Sequence, residues 1–308
     1  MFIEKDVILK PLTTFKIGGP AKYFKVLKNF NDVEVAIDFI EKNKVNFFVI
    51  GGGSNLLIKD EGFDGIVLKI CFDYINFFED GIVVIGAAQN MSELVFEACN
   101  LGYRGLEWAG GLPGTVGGAI VNNAGCFGFE IKDILLEVSA LNLKTKEFKI
   151  FKNYECYFTY RNSFFKNNSE WLLIEAKLKL EPGFDKNELL KIMQEKIEYR
   201  KNNHPMEYPN AGSIFKNFLV VNLKKDIVEM AEQDNVIKGN KIPAAYFIEK
   251  AGLKGKQIGG AKISEKHANF IINLGNAKAC DVLNLIDLIK EEVKNKFDVD
   301  LELEIQIL

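Results

Sequence analysis

The chain has little arginine, little histidine and no surplus of charge, and each shortage removes a class of function. Of its 39 basic residues only Arg104, Arg161 and Arg200 are arginine, and 42 acids leave a net charge of −3 over 308 residues. Without a basic surplus there is no electrostatic footprint for a phosphate backbone, so nucleic acid is not an expected partner. Two histidines, His204 and His267, and five scattered cysteines without a CxxC pair offer neither a metal site nor a disulfide framework. The opening residues MFIEKDV put Glu4 and Asp6 where a signal peptide is positive and then apolar, which points to a cytoplasmic protein. One charge-free run of 22 residues lies between Glu107 and Glu130. It has the length of a membrane span, but Pro113, its glycines and Asn122 with Asn123 would leave too many backbone groups unsatisfied in lipid.

The familiar nucleotide motifs are missing too. G-x-G-x-x-G starting at Gly51 would need glycine at position 56, which is Leu56, and no GK[ST] follows any glycine loop. What the chain has instead is glycine in two clusters. One is Gly51, Gly52 and Gly53, followed by Ser54 and Asn55; the other, GGLPGTVGGAIVNNAGCFG over 110–128, carries seven glycines. Such density suits backbone amides aimed at a phosphate ligand, and it equally suits a buried turn packed tightly against a neighbour. Two such loops about sixty residues apart suit a long ligand with more than one phosphate.

The length predicts more than one domain. A strand over 21–27, a helix capped by Asn31 and Asp32, and a buried strand over 46–50 make a β-α-β unit. Short strands fill 62–87, a helix covers 92–101, and period-2 runs over 134–143, 147–151 and 171–180 predict antiparallel strands. Pro182 and Gly183 precede a charged helix over 185–203. Two short helices (223–233, 243–251), strands over 257–264 and 268–274, and a long helix over 277–297 then follow. A last strand, LELEIQIL, is expected to put Leu301, Leu303, Ile305 and Ile307 on one face and Glu302, Glu304 and Gln306 on the other. The expected divisions are 1–65, 66–183 and 184–308.

Taken in order, TTFKIGG (13–19), VIGGGSNLLI (49–58), GLEWAGGLPGTVGGAIVNNAG (105–125), YRNS (160–163), YPNAGSIFKN (208–217) and LELEI (301–305) resemble the motifs of the UDP-N-acetylenolpyruvoylglucosamine reductase (MurB) family of peptidoglycan synthesis. The resemblance covers nearly the whole chain. It implies an α+β fold: a two-part FAD-binding domain of the vanillyl-alcohol-oxidase (PCMH) type, and a C-terminal substrate domain whose last strand returns to the active site. It implies non-covalent FAD, NADPH as co-substrate, and hydride transfer to the enolpyruvyl ether of UDP-N-acetylglucosamine. Tethering of the flavin through histidine is excluded in the first 203 residues, which contain none.

The resemblance assigns flavin contacts to Gly51, Gly52, Gly53, Ser54 and Asn55 in the first loop. In the second it assigns Gly114, Thr115, Gly117, Gly118 and Asn122, with Ile174 on a later strand. Arg161 would grip the substrate carboxylate at two points, Glu304 would hydrogen-bond the developing enolate, and Ser213 would give the proton. A carboxylic acid kept neutral for that purpose needs a poorly solvated site. Lys216 and Asn217 are expected at the substrate, and His267 as a structural or substrate-adjacent residue. Without the resemblance, Ser213 is a turn serine, Glu304 an acid on a solvated face, and Cys126 and Cys156 small core residues.

The chain departs from the family's longer form, in which an insertion after YRNS carries a tyrosine over the substrate; Tyr199, Tyr208 and Tyr246 are candidates for that cover. Gln306 stands where the family usually has arginine. A monomer is expected. The alternatives are another FAD oxidoreductase of the same fold and a non-catalytic nucleotide-sugar binding module.

Overall fold

The computed structural model describes residues 3–308 and mixes helix and strand, the expected α+β class. Two compact units emerge. The first comprises the chain up to Val7, Ala21–Gly52 and Phe63–Asn202; the second comprises Ile8–Pro20, Gly53–Gly62 and Asn203–Leu308. Among the described residues no helix is long and apolar enough to cross a membrane.

The first unit is built on two sheets. In one, the strand order is Glu4–Ile8, Pro20–Leu27, Phe63–Ile70, Asn46–Ile50, and the last three run parallel. The expected β-α-β elements are present, but their two strands are not neighbours. Phe63–Ile70 lies between them because Ile66, Val67 and Leu68 are apolar on both faces and fully buried, which suits only a central parallel strand. The helix Phe30–Asn43 begins earlier than expected: its cap is Asn29, whose side chain accepts from the Asp32 amide at 3.0 Å. Asp32, expected to cap, is instead buried and paired with Lys25 at 2.6 Å.

The other sheet orders Phe148–Lys152, Leu135–Asn142, Trp171–Lys179, Ile82–Gly86 and Ile75–Phe77, antiparallel throughout, as the period-2 pattern predicts. Leu94 and Val95 of the helix Met91–Asn100 join Ile120, Val138 and Leu172 in one continuous core. Within the second glycine cluster, Val116–Val121 forms a short helix that the glycine content did not predict. The helix Lys186–Asn203 belongs to this unit up to Asn202 and buries Leu189, Met193 and Arg200.

In the second unit the helix Ala279–Phe297 buries Val282, Leu285, Ile286, Ile289 and Val293, a spacing that keeps one face on the core. That core includes Phe247 of the helix Ala244–Lys250 and the small sheet Gln257–Ile258, Ala261–Ile263, Ile271–Asn273. The last segment is not the single strand expected. Leu303 bridges to Phe215, and only Gln306–Ile307 forms a strand, parallel to Leu56–Leu57. With two partners in succession the segment cannot keep one flat alternation, so Leu301 and Ile305 are buried while Leu303 and Ile307 are half-buried.

Candidate active site

Within the first unit the two glycine loops touch backbone to backbone. A Cβ at Gly52 would stand 2.6 Å from the Gly114 Cα, and one at Gly51 would stand 2.6 Å from the Thr115 hydroxyl. Contact this close is what glycine permits: the loops pack tightly, while Gly51, Gly52 and Gly114 remain half-buried. Gly53, with φ of +63°, turns the chain into the second unit, where it lies against Leu12.

Not every residue expected at the cofactor has its polar groups to spare. The Gly117 amide donates to the Ala87 carbonyl at 2.8 Å, and the Ala87 amide donates to the Ile174 carbonyl at 2.9 Å. The Gly118 amide caps onto the Thr115 hydroxyl at 3.4 Å, and the Asn122 side-chain amide closes the same short helix on the Gly118 carbonyl at 3.0 Å. A residue that the sequence did not single out, Lys69, donates its ammonium to the Gly51 carbonyl. Burial pushes its pKa below the ordinary lysine value, and no carboxylate pairs with it among the described residues.

Arg161 sits in a tight turn in which the Thr159 and Asn162 main chains exchange hydrogen bonds at 3.1 and 3.2 Å. Its φ of +56° places a non-glycine residue in the left-handed region, a strain on the order of 1–3 kcal/mol that the surroundings must impose. They do so through Asn123, fully buried, whose side-chain amide donates to the Thr159 carbonyl at 2.9 Å and to Glu130 at 3.1 Å. Ser163 adds a bond to the Val121 carbonyl at 2.7 Å. The Arg161 guanidinium donates to the Gly125 carbonyl at 2.8 Å and lies over the Tyr160 ring.

In the second unit, Ser213 and Glu304 lie on paired segments. The Glu304 amide donates to the Ile214 carbonyl at 2.8 Å, and the Lys216 amide donates to the Glu302 carbonyl at 2.8 Å. Both Ser213 and Glu304 are half-buried, whereas Glu302 and Gln306 on the same polar alternation are exposed. The Ser213 hydroxyl makes no hydrogen bond among the described residues. Asn55 joins the group: its side-chain amide donates to the Glu304 carbonyl at 3.1 Å, and its own carbonyl accepts from the Gln306 amide at 3.0 Å. Lys216 pairs with Glu302, and the Asn217 side chain accepts from the Ala244 amide at 3.1 Å, the first amide of the helix Ala244–Lys250.

Several other expectations shift. Cys126 is not simply a core residue, because Arg200 reaches its sulfur at 2.9 Å while donating to the Gly110 carbonyl at 2.9 Å. Burial nevertheless raises the Cys126 thiol pKa. Cys156 is fully buried, as expected. Tyr246 is buried and donates to Asp234 at 2.6 Å, so it is no cover for a substrate; Tyr199 and Tyr208 are exposed. His204, His267 and Phe270 cluster, with His267 edge-on to the other two rings, and burial lowers the His267 pKa to about 4.

The family model described as UDP-N-acetylenolpyruvoylglucosamine reductase, C-terminal domain, matches residues 204–308, and one described as an FAD binding domain matches 21–147. The UDP-N-acetylenolpyruvoylglucosamine reductase of Carboxydothermus hydrogenoformans is 41% identical over 297 residues, covering 96% of this chain and 90% of that one. The reductase of Bacillus subtilis is 38% identical over 96% of this chain and 90% of its own. The crystal structure of MurB from Thermus caldophilus superposes with a TM-score of 0.78 at 31% identity, covering 100% of this chain and 99% of that one. Aligned with such reductases over almost its entire length in both sequence and structure, the chain belongs to the UDP-N-acetylenolpyruvoylglucosamine reductase family.

Proposed function

We propose that the protein is an NADPH-dependent flavoenzyme that reduces the enolpyruvyl ether of UDP-N-acetylglucosamine to UDP-N-acetylmuramate in the cytoplasm, acting as a monomer. The first unit carries most of the flavin contacts and the second carries the proton donor. The residues fit FAD. Neither glycine loop contains an acid, Gly51, Gly52 and Gly114 offer accessible main chain, Ser54 and Asn55 add short polar side chains, and the Lys69 ammonium brings positive charge to the first loop. FAD held by these residues would supply hydride chemistry, linking the reducing power of NADPH to the vinyl carbon of the substrate.

The remaining work falls to side chains. Negative charge develops beside the substrate carboxylate, and donors already in place stabilise it at least cost. Arg161, held in its strained turn, offers a planar fork to the carboxylate, and Glu304, when protonated, donates to the developing enolate oxygen. Ser213 gives its hydroxyl proton to the carbon that becomes basic, a step that depends on alignment because an alcohol is a weak acid. The observation that carries this reading is the pairing that puts the Ser213 and Glu304 segments side by side, with the Glu304 amide 2.8 Å from the Ile214 carbonyl.

The test is an anaerobic titration of Ser213→Ala. NADPH should bleach its flavin at the normal rate, while the enolpyruvyl sugar should fail to restore the colour. Normal recovery of colour would remove Ser213 from the role of proton donor.

A further inference from the structure

Ile214 and Phe215, the two residues after Ser213, are fully buried, and every polar group of their main chain has a partner. Three of those four partners belong to one residue. The Ile214 amide donates to the Asn269 carbonyl at 2.9 Å, the Phe215 amide donates to the Asn269 side-chain oxygen at 2.9 Å, and the Asn269 side-chain amide donates to the Phe215 carbonyl at 2.8 Å. The fourth, the Ile214 carbonyl, accepts from the Glu304 amide at 2.8 Å. Asn269 is itself 2% exposed, and its own amide is turned inward by a bond to the His267 Nδ1 at 3.3 Å. A primary amide is suited to this place because it donates and accepts in one plane, as a neighbouring strand would.

We propose that Asn269 is the positioning residue of the proton-transfer step, fixing the backbone of Ile214 and Phe215, directly after Ser213, from one side while Glu304 is paired on the other. This rests on the reading of Ser213 as proton donor. Asn269 touches no reacting atom. Its effect runs through the main chain of two residues, and a shift of about 1 Å at a reacting group can cost on the order of a hundredfold in rate.

Asn269→Asp separates positioning from general stability, because its competence depends on protonation. The ionised carboxylate still accepts from the Phe215 amide but faces the Phe215 carbonyl with no proton to give. The protonated acid restores the missing donor. His267, two residues before position 269, feels Lys254, Glu249 and Lys238 and lies against His204, and the paired segments add Lys216, Glu302 and Glu304. The unsubstituted protein carries all of them and is the control for their titration.

The experiment measures flavin bleaching by NADPH and colour recovery with the enolpyruvyl sugar as separate rates between pH 8 and 5. Amide hydrogen exchange of residues 208–217 in the protein without substrate or cofactor is followed alongside. In Asn269→Asp we expect normal bleaching, recovery slowed about a hundredfold at pH 8 and regained as pH falls, and faster exchange at Ile214 and Phe215 at pH 8. Recovery within twofold of the unsubstituted rate at pH 8, or an equal loss in both half-reactions, would overturn the proposal. If Asn269→Asp does not fold at pH 8, Asn269→Ser decides the matter: slowed recovery at every pH supports the proposal and normal recovery ends it. Ser213→Ala run in parallel keeps the two ideas apart, since its normal recovery would defeat the proton-donor reading whatever Asn269 does.

Discussion

The side-chain amide of Asn55 donates to the main-chain carbonyl of Glu304 at 3.1 Å, across 249 positions of sequence. A residue of the first glycine loop thereby holds the segment that carries the proposed enolate-stabilising carboxyl. Asn55→Ala should cost only about 1 kcal/mol of stability, the usual net worth of one hydrogen bond. Recovery of flavin colour by the enolpyruvyl sugar should fall by a larger factor than that energy suggests. Stopped-flow rates beside a thermal melt check this, and proportionate losses in the two would show that the bond is merely structural.

Gly52→Ala should separate the two loops, because the new methyl would stand 2.6 Å from the Gly114 Cα, which is backbone and cannot swing aside. Overpacking of this kind costs about 1–3 kcal/mol. The expected result is a lower melting temperature and a lower ratio of flavin to protein absorbance after purification. Full flavin retention would mean that the close approach of the loops is not what shapes the site.

Arg161→Lys keeps the charge and loses the fork, along with the bond from the guanidinium to the Gly125 carbonyl. Turnover should drop on the order of a hundredfold or more, with bleaching by NADPH unchanged, because the lost grip matters mainly as charge develops. Unchanged turnover would show that a point charge suffices.

His267 supplies a pH prediction whose sign follows from its depressed pKa. Burial holds the folded ring neutral down to about 4, whereas the unfolded ring takes a proton near 6.5. Between those values the unfolded chain binds a proton that the folded one does not, so stability falls as pH falls, by at most about 3 kcal/mol. Below about 4 both forms are protonated and this contribution stops changing. His267→Gln should flatten the melting temperature over that interval, and an unaltered slope would assign the acid sensitivity elsewhere.

Legibility in the sequence followed the range of the interactions. The helices Lys186–Asn203 and Ala279–Phe297 and the antiparallel strands announce themselves through local periodicity, and the proposed site residues Arg161, Ser213 and Glu304 stand in short motifs. The fold's own use of the Gly117 amide and the Asn217 side chain was not readable, because their partners Ala87 and Ala244 lie outside the motifs. Asn123 and Asn269 were missed for a related reason. In sequence a lone asparagine reads as a turn residue, and only tertiary packing makes it a buried brace. The reach of Arg200 to Cys126 and Gly110 likewise needed the fold.

The second unit is stitched from three stretches of chain, and Asn273 bonds to the Phe15 carbonyl across 258 positions. On the ribosome, Ile8–Pro20 and Gly53–Gly62 can bond to each other, as the Gly19 amide does to the Lys59 carbonyl at 2.9 Å, but they must wait for the rest of their core until the remainder has been translated. A fragment beginning at residue 203, although it covers the C-terminal family match, lacks both stretches and should not fold by itself. Gene fusions or split versions of this protein should respect that thread rather than the family boundary.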